Sequence, residues 1–272
     1  MSTIRIVISA PIDSNLYSLL VSKHCINEVN VDVVGILTLK TLSLKRISTE
    51  YKRLGKTLLR KIWKKYCSIT SHLIFEKNDC TSDVLIADAG LQYNSLKQLA
   101  SSYDISYLKV DNPNDKHSIK FLNNLKPDII ISIGSCIIRE AFLQIPKIGV
   151  FNVHMGILPE YRGIGVTEWP IIENNLETIG LGVTLHLMEA GVDTGPIIMK
   201  KNINLNKKDT LDSLESKYLK EMVQLMILGV RMAKEHKLCS IPQKISDGKQ
   251  YFETHKRMKV FAEKKIKTIC LD

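Results

Sequence analysis

The chain has 272 residues, 44% of them apolar and 24% charged, which is the balance of an ordinary soluble globular protein. That length holds one large domain or two small ones at ~150 residues each, and it buries a core without disulfides or metal. Composition excludes a mainly disordered chain, which would be poor in Leu, Ile and Val, and a collagen-like one, since Gly and Pro number only 14 and 8.

Ile4–Ser9 is a short apolar run rich in β-branched residues. Its core, Ile6–Ile8, is too short for a signal peptide, which needs ~7–15 apolar residues, so it predicts a first buried strand. Val31–Leu37 is a second. Between Lys40 and Tyr66 ten cations stand against one anion, Glu50, while the net charge of the whole chain is +10. The rest is therefore close to neutral. Within this segment Ile47, Tyr51, Leu54, Leu58 and Ile62 recur at helical spacing and form one apolar stripe. Two readings stay open: a solvated helix docked by its stripe, or a positive surface for a nucleotide diphosphate, a tRNA or an anionic membrane face.

Val84–Ala87 is a third apolar run, read as a strand. Ser95–Ser101 is helical, Ile105–Val110 a strand and Ser118–Leu125 helical. Lys126-Pro127-Asp128 then punctuates the chain before a strand at Ile129–Ile133. Near-continuous apolar strands separated by helices predict an α/β protein, with a doubly wound, mostly parallel sheet. No G-x-G-x-x-G and no G-x-x-x-x-G-K-[ST] is present.

Further strands are expected at Gly149–His154, Gly182–Met188 and Pro196–Ile203. A helix then starts at Asp209 or Thr210, either of which caps it, and ends near His236. The tail from Ser240 has a short Gln250-Tyr251-Phe252 run and a last basic helix. The expected division is a catalytic domain over 1–204, with the basic helical insertion at about 40–66, and a C-terminal helical extension over 205–272.

The longest apolar stretch, Ile129–Ile138, is interrupted by Ser132 and Ser135 and falls well short of the ~20 residues of a membrane span. Six scattered cysteines, none at C-x-x-C spacing, argue against a zinc site and fit a reducing compartment. No metal is expected, and the protein is placed in the cytoplasm.

Chemistry concentrates in Phe151-Asn152-Val153-His154-Met155-Gly156-Ile157-Leu158-Pro159-Glu160-Tyr161-Arg162-Gly163. In a strand Asn152 and His154 share a face, and two polar side chains at the end of an apolar strand need a reason to be there. Downstream, Gly182–Met188 leads into Glu189-Ala190-Gly191-Val192-Asp193-Thr194-Gly195-Pro196, a Gly-flanked loop with Asp193. An amide, an imidazole and an acid on strand ends suit acyl transfer. Neither Ser nor Cys stands beside the His as nucleophile, so the substrate would supply it. His186, on the strand face of Thr184 and Met188, is read as structural.

The N-V-H-x-x-[IL]-L-P-x-Y-R-G pattern, followed by G-V-D-T-G-P-I-I, resembles the 10-formyltetrahydrofolate-dependent formyltransferase family, in detail from about Pro127 to Ile198. The resemblance implies a Rossmann-like catalytic domain and a catalytic trio of Asn152, His154 and Asp193. It also implies 10-formyltetrahydrofolate as co-substrate, its pterin held by Cys136, Ile137, Ile138, Ile157 and Leu158 and by Glu189, Ala190, Gly191, Val192 and Asp193. In the implied reaction a primary amine attacks the formyl carbon and tetrahydrofolate leaves.

Departures from the family narrow the acceptor. Gly156 replaces the Ser that commonly precedes I/L-L-P. After the first strand, Ser9–Asn15 lacks glycine and includes Pro11, which has no N–H to donate, so a phosphate nest of the glycinamide ribonucleotide type is not expected there. The tail is too short for the tRNA-binding β-barrel of methionyl-tRNA formyltransferases, although their basic insertion matches Lys40–Lys65. A first strand at Ile4 leaves no room for the extra N-terminal domain of formyltetrahydrofolate hydrolases. By elimination the expected acceptor is a small, anionic, nucleotide-linked amine, an amino sugar foremost. Methionyl-tRNA and glycinamide ribonucleotide are alternatives, as is a non-catalytic folate-binding or basic adaptor protein.

Overall fold

The computed structural model describes residues 3–40, 80–134 and 137–269. Residues 41–79, and with them nearly all of the basic segment, lie outside the described residues, as does Cys136. The chain divides into two compact units between Lys147 and Ile148.

The first unit alternates strands and helices. Strand β1 (Ile4–Ala10) precedes α1 (Leu16–Asn27) and β2 (Val31–Leu39). From residue 80 onward come α2 (Cys80–Ala89), α3 (Leu96–Ser102), β3 (Ser106–Val110), α4 (Lys116–Leu125), β4 (Ile129–Ser132) and a single turn, α5 (Glu140–Leu143). The strands lie in the order β3-β2-β1-β4, and every neighbouring pair is parallel. Ile6, Val7 and Ile8 are all fully buried, as are Ile129, Ile130 and Ile131. Successive side chains in a strand point to opposite faces, so these strands are covered on both, as a parallel sheet with crossover helices requires. Helix starts follow capping chemistry: Asn15, Ser95 and Asp115 accept from the backbone N–H groups of Ser18, Gln98 and Ser118.

The apolar run Val84–Ala87 is helical, not a strand. Leu85 and Ala89 are buried while Val84 is half exposed. With buried Ser82 they give a spacing of three then four, the mark of one helix face. In the first connection Pro11 packs against Gly134, and no glycine occurs between Ser9 and Asn15.

The main run of strands in the second unit is antiparallel. Strands β5 (Gly149–His154), β7 (Leu181–Leu187) and β8 (Ile197–Ile203) form one run in that order. A three-residue strand, β6 (Tyr161–Gly163), pairs in parallel with β9 (Lys249–Tyr251). Helix α6 (Glu168–Ile172) follows β6. Helix α7 (Leu211–Lys234) begins at a Thr210–Ser213 capping box, and α8 (Lys256–Ile269) ends the described chain.

Helix α7 packs onto β5 and β7. Its Gly229 lies so close that a Cβ there would stand 2.3 Å from a methyl of Leu185 and 3.7 Å from the Phe151 ring. One face of β5 and β7 is therefore apolar and covered by α7. The other face carries Asn152, His154, Thr184 and His186.

Candidate active site

Register decides what meets on that polar face. In the antiparallel β5–β7 pair Asn152 stands opposite His186, and His154 opposite Thr184. Residues directly opposite share a face, so four polar side chains gather at the end of two otherwise apolar strands. His154, Thr184 and His186 are buried.

Each group has a defined partner. The His186 Nδ1 lies 2.9 Å from the Leu187 carbonyl oxygen, which only accepts, so Nδ1 carries the proton. Burial, with the nearby His154, lowers the His186 pKa to about 4 despite the pull of Asp193, leaving the ring neutral at pH 7. Its Nε2 is then an acceptor, and the Asn152 amide donates to it at 3.1 Å. That bond fixes which way the amide points and leaves its second N–H for a ligand.

His154 is held by its other nitrogen. Its Nε2–H donates to the Tyr161 carbonyl at 2.8 Å. Its Nδ1 faces Asp193 Oδ2 at 3.4 Å. With Nε2 engaged, only Nδ1 remains for both the carboxylate and a reacting oxygen. Asp193 Oδ1 lies 3.7 Å from His186 Nε2, and Oδ2 also accepts from the Gly163 amide at 2.9 Å. One carboxylate thus touches both imidazoles and the end of β6.

Thr184 locks the turn that follows β5. Its hydroxyl donates to the Gly156 carbonyl at 2.7 Å and accepts from the Leu158 amide at 3.1 Å. Gly156 is required by closeness: a Cβ there would sit 2.8 Å from His154 Nε2 and 2.9 Å from the Tyr161 carbonyl oxygen.

Asn152, His154 and Asp193, singled out from the sequence, come together. His186 was read as structural. It is buried as that reading expects, and it also binds Asn152 and faces Asp193. The only sequence signal for this was Thr-x-His in one apolar strand matching Asn-x-His in another. Residues assigned to the co-substrate divide in their exposure. Ile137 is 78% exposed and Ile138 buried. Ile157 and Leu158 are core residues at 6% and 0% exposure. The loop Glu189–Val192 is exposed, and its backbone N–H groups have no partner among the described residues. Those amides and carbonyls suit a flat heterocycle edged with donors and acceptors. Among the described residues no cluster suited to a metal ion occurs, and no helix is long and apolar enough to cross a membrane.

Comparison with known proteins places the chain in a family. Residues 74–230 match the formyl transferase family model. Methionyl-tRNA formyltransferase of Alkaliphilus oremlandii is 29% identical over 56% of this chain and 48% of its own. The bifunctional polymyxin resistance protein ArnA of Wigglesworthia glossinidia brevipalpis is 32% identical over 75% of this chain and 29% of its own. The chain therefore spans about half or less of these relatives. Among solved structures, the N-formyltransferase of Helicobacter canadensis, in complex with folinic acid and dTDP-3-aminofucose, aligns with a TM-score of 0.57 at 18% identity, over 97% of this chain and 80% of its own. The sugar 3N-formyltransferase WlaRD aligns at 0.55 and 17%, over 98% and 80%. These likenesses establish the fold, and the family match over more than half the chain establishes descent: the chain belongs to the formyl transferase family.

Proposed function

We propose that the chain transfers a formyl group from 10-formyltetrahydrofolate to a primary amine on a small nucleotide-linked acceptor, an amino sugar foremost. The observation that carries the transfer is the Asn152–His186–Asp193–His154 constellation, its two histidines buried and its amide and carboxylate partly accessible, with one Asn152 N–H left for a substrate oxygen. Bound 10-formyltetrahydrofolate would supply an electrophilic formyl carbon, its heterocycle held by the exposed 189–192 loop and Asp193.

The chain's own residues then act in order. The free Asn152 N–H donates to the formyl oxygen as negative charge builds on it. His154 adds a second donor from Nδ1 in the form that carries a proton on both ring nitrogens, Nε2–H staying on the Tyr161 carbonyl. The amine nitrogen forms the new C–N bond and sheds a proton, which Asp193 takes directly or through water. The bond from the formyl carbon to the folate nitrogen breaks as the oxyanion collapses, and that nitrogen takes up the proton that Asp193 received, so tetrahydrofolate departs neutral at that nitrogen.

The acceptor reading rests on the glycine-free connection after β1, where Pro11 removes a donor from any phosphate nest. It draws also on ArnA and the sugar formyltransferases among the similar proteins. Methionyl-tRNA is the second reading, favoured by relatives of that name. The test is tetrahydrofolate release from 10-formyltetrahydrofolate with nucleotide-linked amino sugars, methionyl-tRNA, glycinamide ribonucleotide, or water alone. Release dependent on an amino sugar supports the proposal. Release dependent on tRNA or glycinamide ribonucleotide replaces the acceptor, and release in water alone makes the protein a hydrolase.

A further inference from the structure

The catalytic loop is tied down by a residue outside the family-matched span, which ends at residue 230. Gln243 reaches back from the C-terminal tail, and its Nε2 donates to the backbone carbonyls of Asp193, at 3.1 Å, and Gly195. Its Oε1 is buried without a partner among the described residues, so the side chain serves as a donor alone.

The loop needs such a tie. Asp193 has a φ of 52°, a left-handed conformation that persists in a non-glycine residue when its surroundings hold it there. The four residues before it are exposed and give it little support.

The tail is itself anchored three times. Ile241 exchanges two backbone hydrogen bonds of 2.8 Å with Ile197, at the start of β8. Arg162, buried in β6, donates from Nη2 to the carbonyls of Ile245 at 3.0 Å and Gly248 at 2.7 Å. Strand β9 then pairs with β6, whose last residue, Gly163, donates its amide to the Asp193 carboxylate. The same segment thus fixes Asp193 twice, at its main chain through Gln243 and at its carboxylate through β6.

We infer that Gln243 is a positioning residue for Asp193 and that residues 241–251 form a strap completing the site. This rests on the formyl-transfer reading. The test compares Q243M, which keeps the shape and removes the donor, with Q243E and with K220A at an exposed position outside the strap. Asp193→Asn measures the cost of disabling the loop's carboxylate outright. The readouts are kcat, KM for donor and acceptor, Tm and the pH profile.

Displacing a catalytic group by ~1 Å costs on the order of 100-fold in rate. Q243M is therefore expected to lower kcat about 10- to 100-fold, with KM and Tm near wild type, while K220A stays unchanged. At neutral pH the Q243E carboxylate would face two carbonyl oxygens. Activity relative to wild type should rise as the pH falls and a protonated oxygen donates again, a recovery that a merely structural role would not produce. Q243M at wild-type kcat beside a crippled D193N overturns the strap alone. A kcat loss that follows Tm, without acid recovery in Q243E, also overturns it. D193N at wild-type kcat overturns the transfer reading, and the strap's purpose with it.

Discussion

Acidification should destabilise this protein through His186 in a way that one substitution removes. The ring is buried, with Nδ1–H on the Leu187 carbonyl and Nε2 accepting from Asn152. A proton added at Nε2 abolishes that acceptor and charges a group inside the core. The pKa accordingly falls from 6.5 to about 4, burial being the main cause. A depressed folded-state pKa means the unfolded chain takes up its proton first. The contribution is fully present above pH ~6.5, is lost as pH falls from there towards 4, and changes no further below. At ~1.36 kcal/mol per unit the whole window is worth about 3 kcal/mol, of which about 2 kcal/mol is gone by pH 5. The assay is urea unfolding of wild type and H186Q at pH 7.5, 6 and 5. The difference between the two proteins cancels other titrating groups. Wild type should lose about 2 kcal/mol more than the variant between pH 7.5 and 5. Parallel curves would refute the reasoning, as would a His186 resonance titrating near 6.5.

Two further substitutions probe the turn after β5. Thr184→Val keeps volume but strands the Gly156 carbonyl and the Leu158 amide, each costing ~1–3 kcal/mol if it stays buried and unpaired. Thermal unfolding should show the loss, and an unchanged Tm would contradict it. Gly156→Ser installs the residue common in the related motif, with its Cβ against His154 Nε2 and the Tyr161 carbonyl. It should turn the His154 ring away from that carbonyl and lower stability by ~1–3 kcal/mol. A variant structure that retains the His154–Tyr161 hydrogen bond at wild-type stability would contradict this.

Strands with continuous β-branched apolar runs were legible because burial on both faces leaves no alternative composition. Asn152 and His154 were legible because a two-residue alternation puts both on one face. Val84–Ala87 misled because four apolar residues in a row carry no period, and only the burial of Ser82, Leu85 and Ala89 reveals the helix. Strand β6, three residues long, has no period either, and its partner lies more than eighty residues away. The role of His186 depends on β5–β7 register, which no single strand encodes. Gln243 gave no signal at all, since it stands in an exposed stretch without periodicity, fifty positions from the loop it holds.

The most direct test of the central claim is single-turnover formyl transfer to the accepted amine by wild type and Asn152→Ala, with tetrahydrofolate affinity measured alongside. The account predicts that the rate falls by about 100- to 1,000-fold, the usual cost of one lost oxyanion donor, while affinity stays within a factor of about three. Transfer at the wild-type rate by the Asn152→Ala enzyme would contradict it.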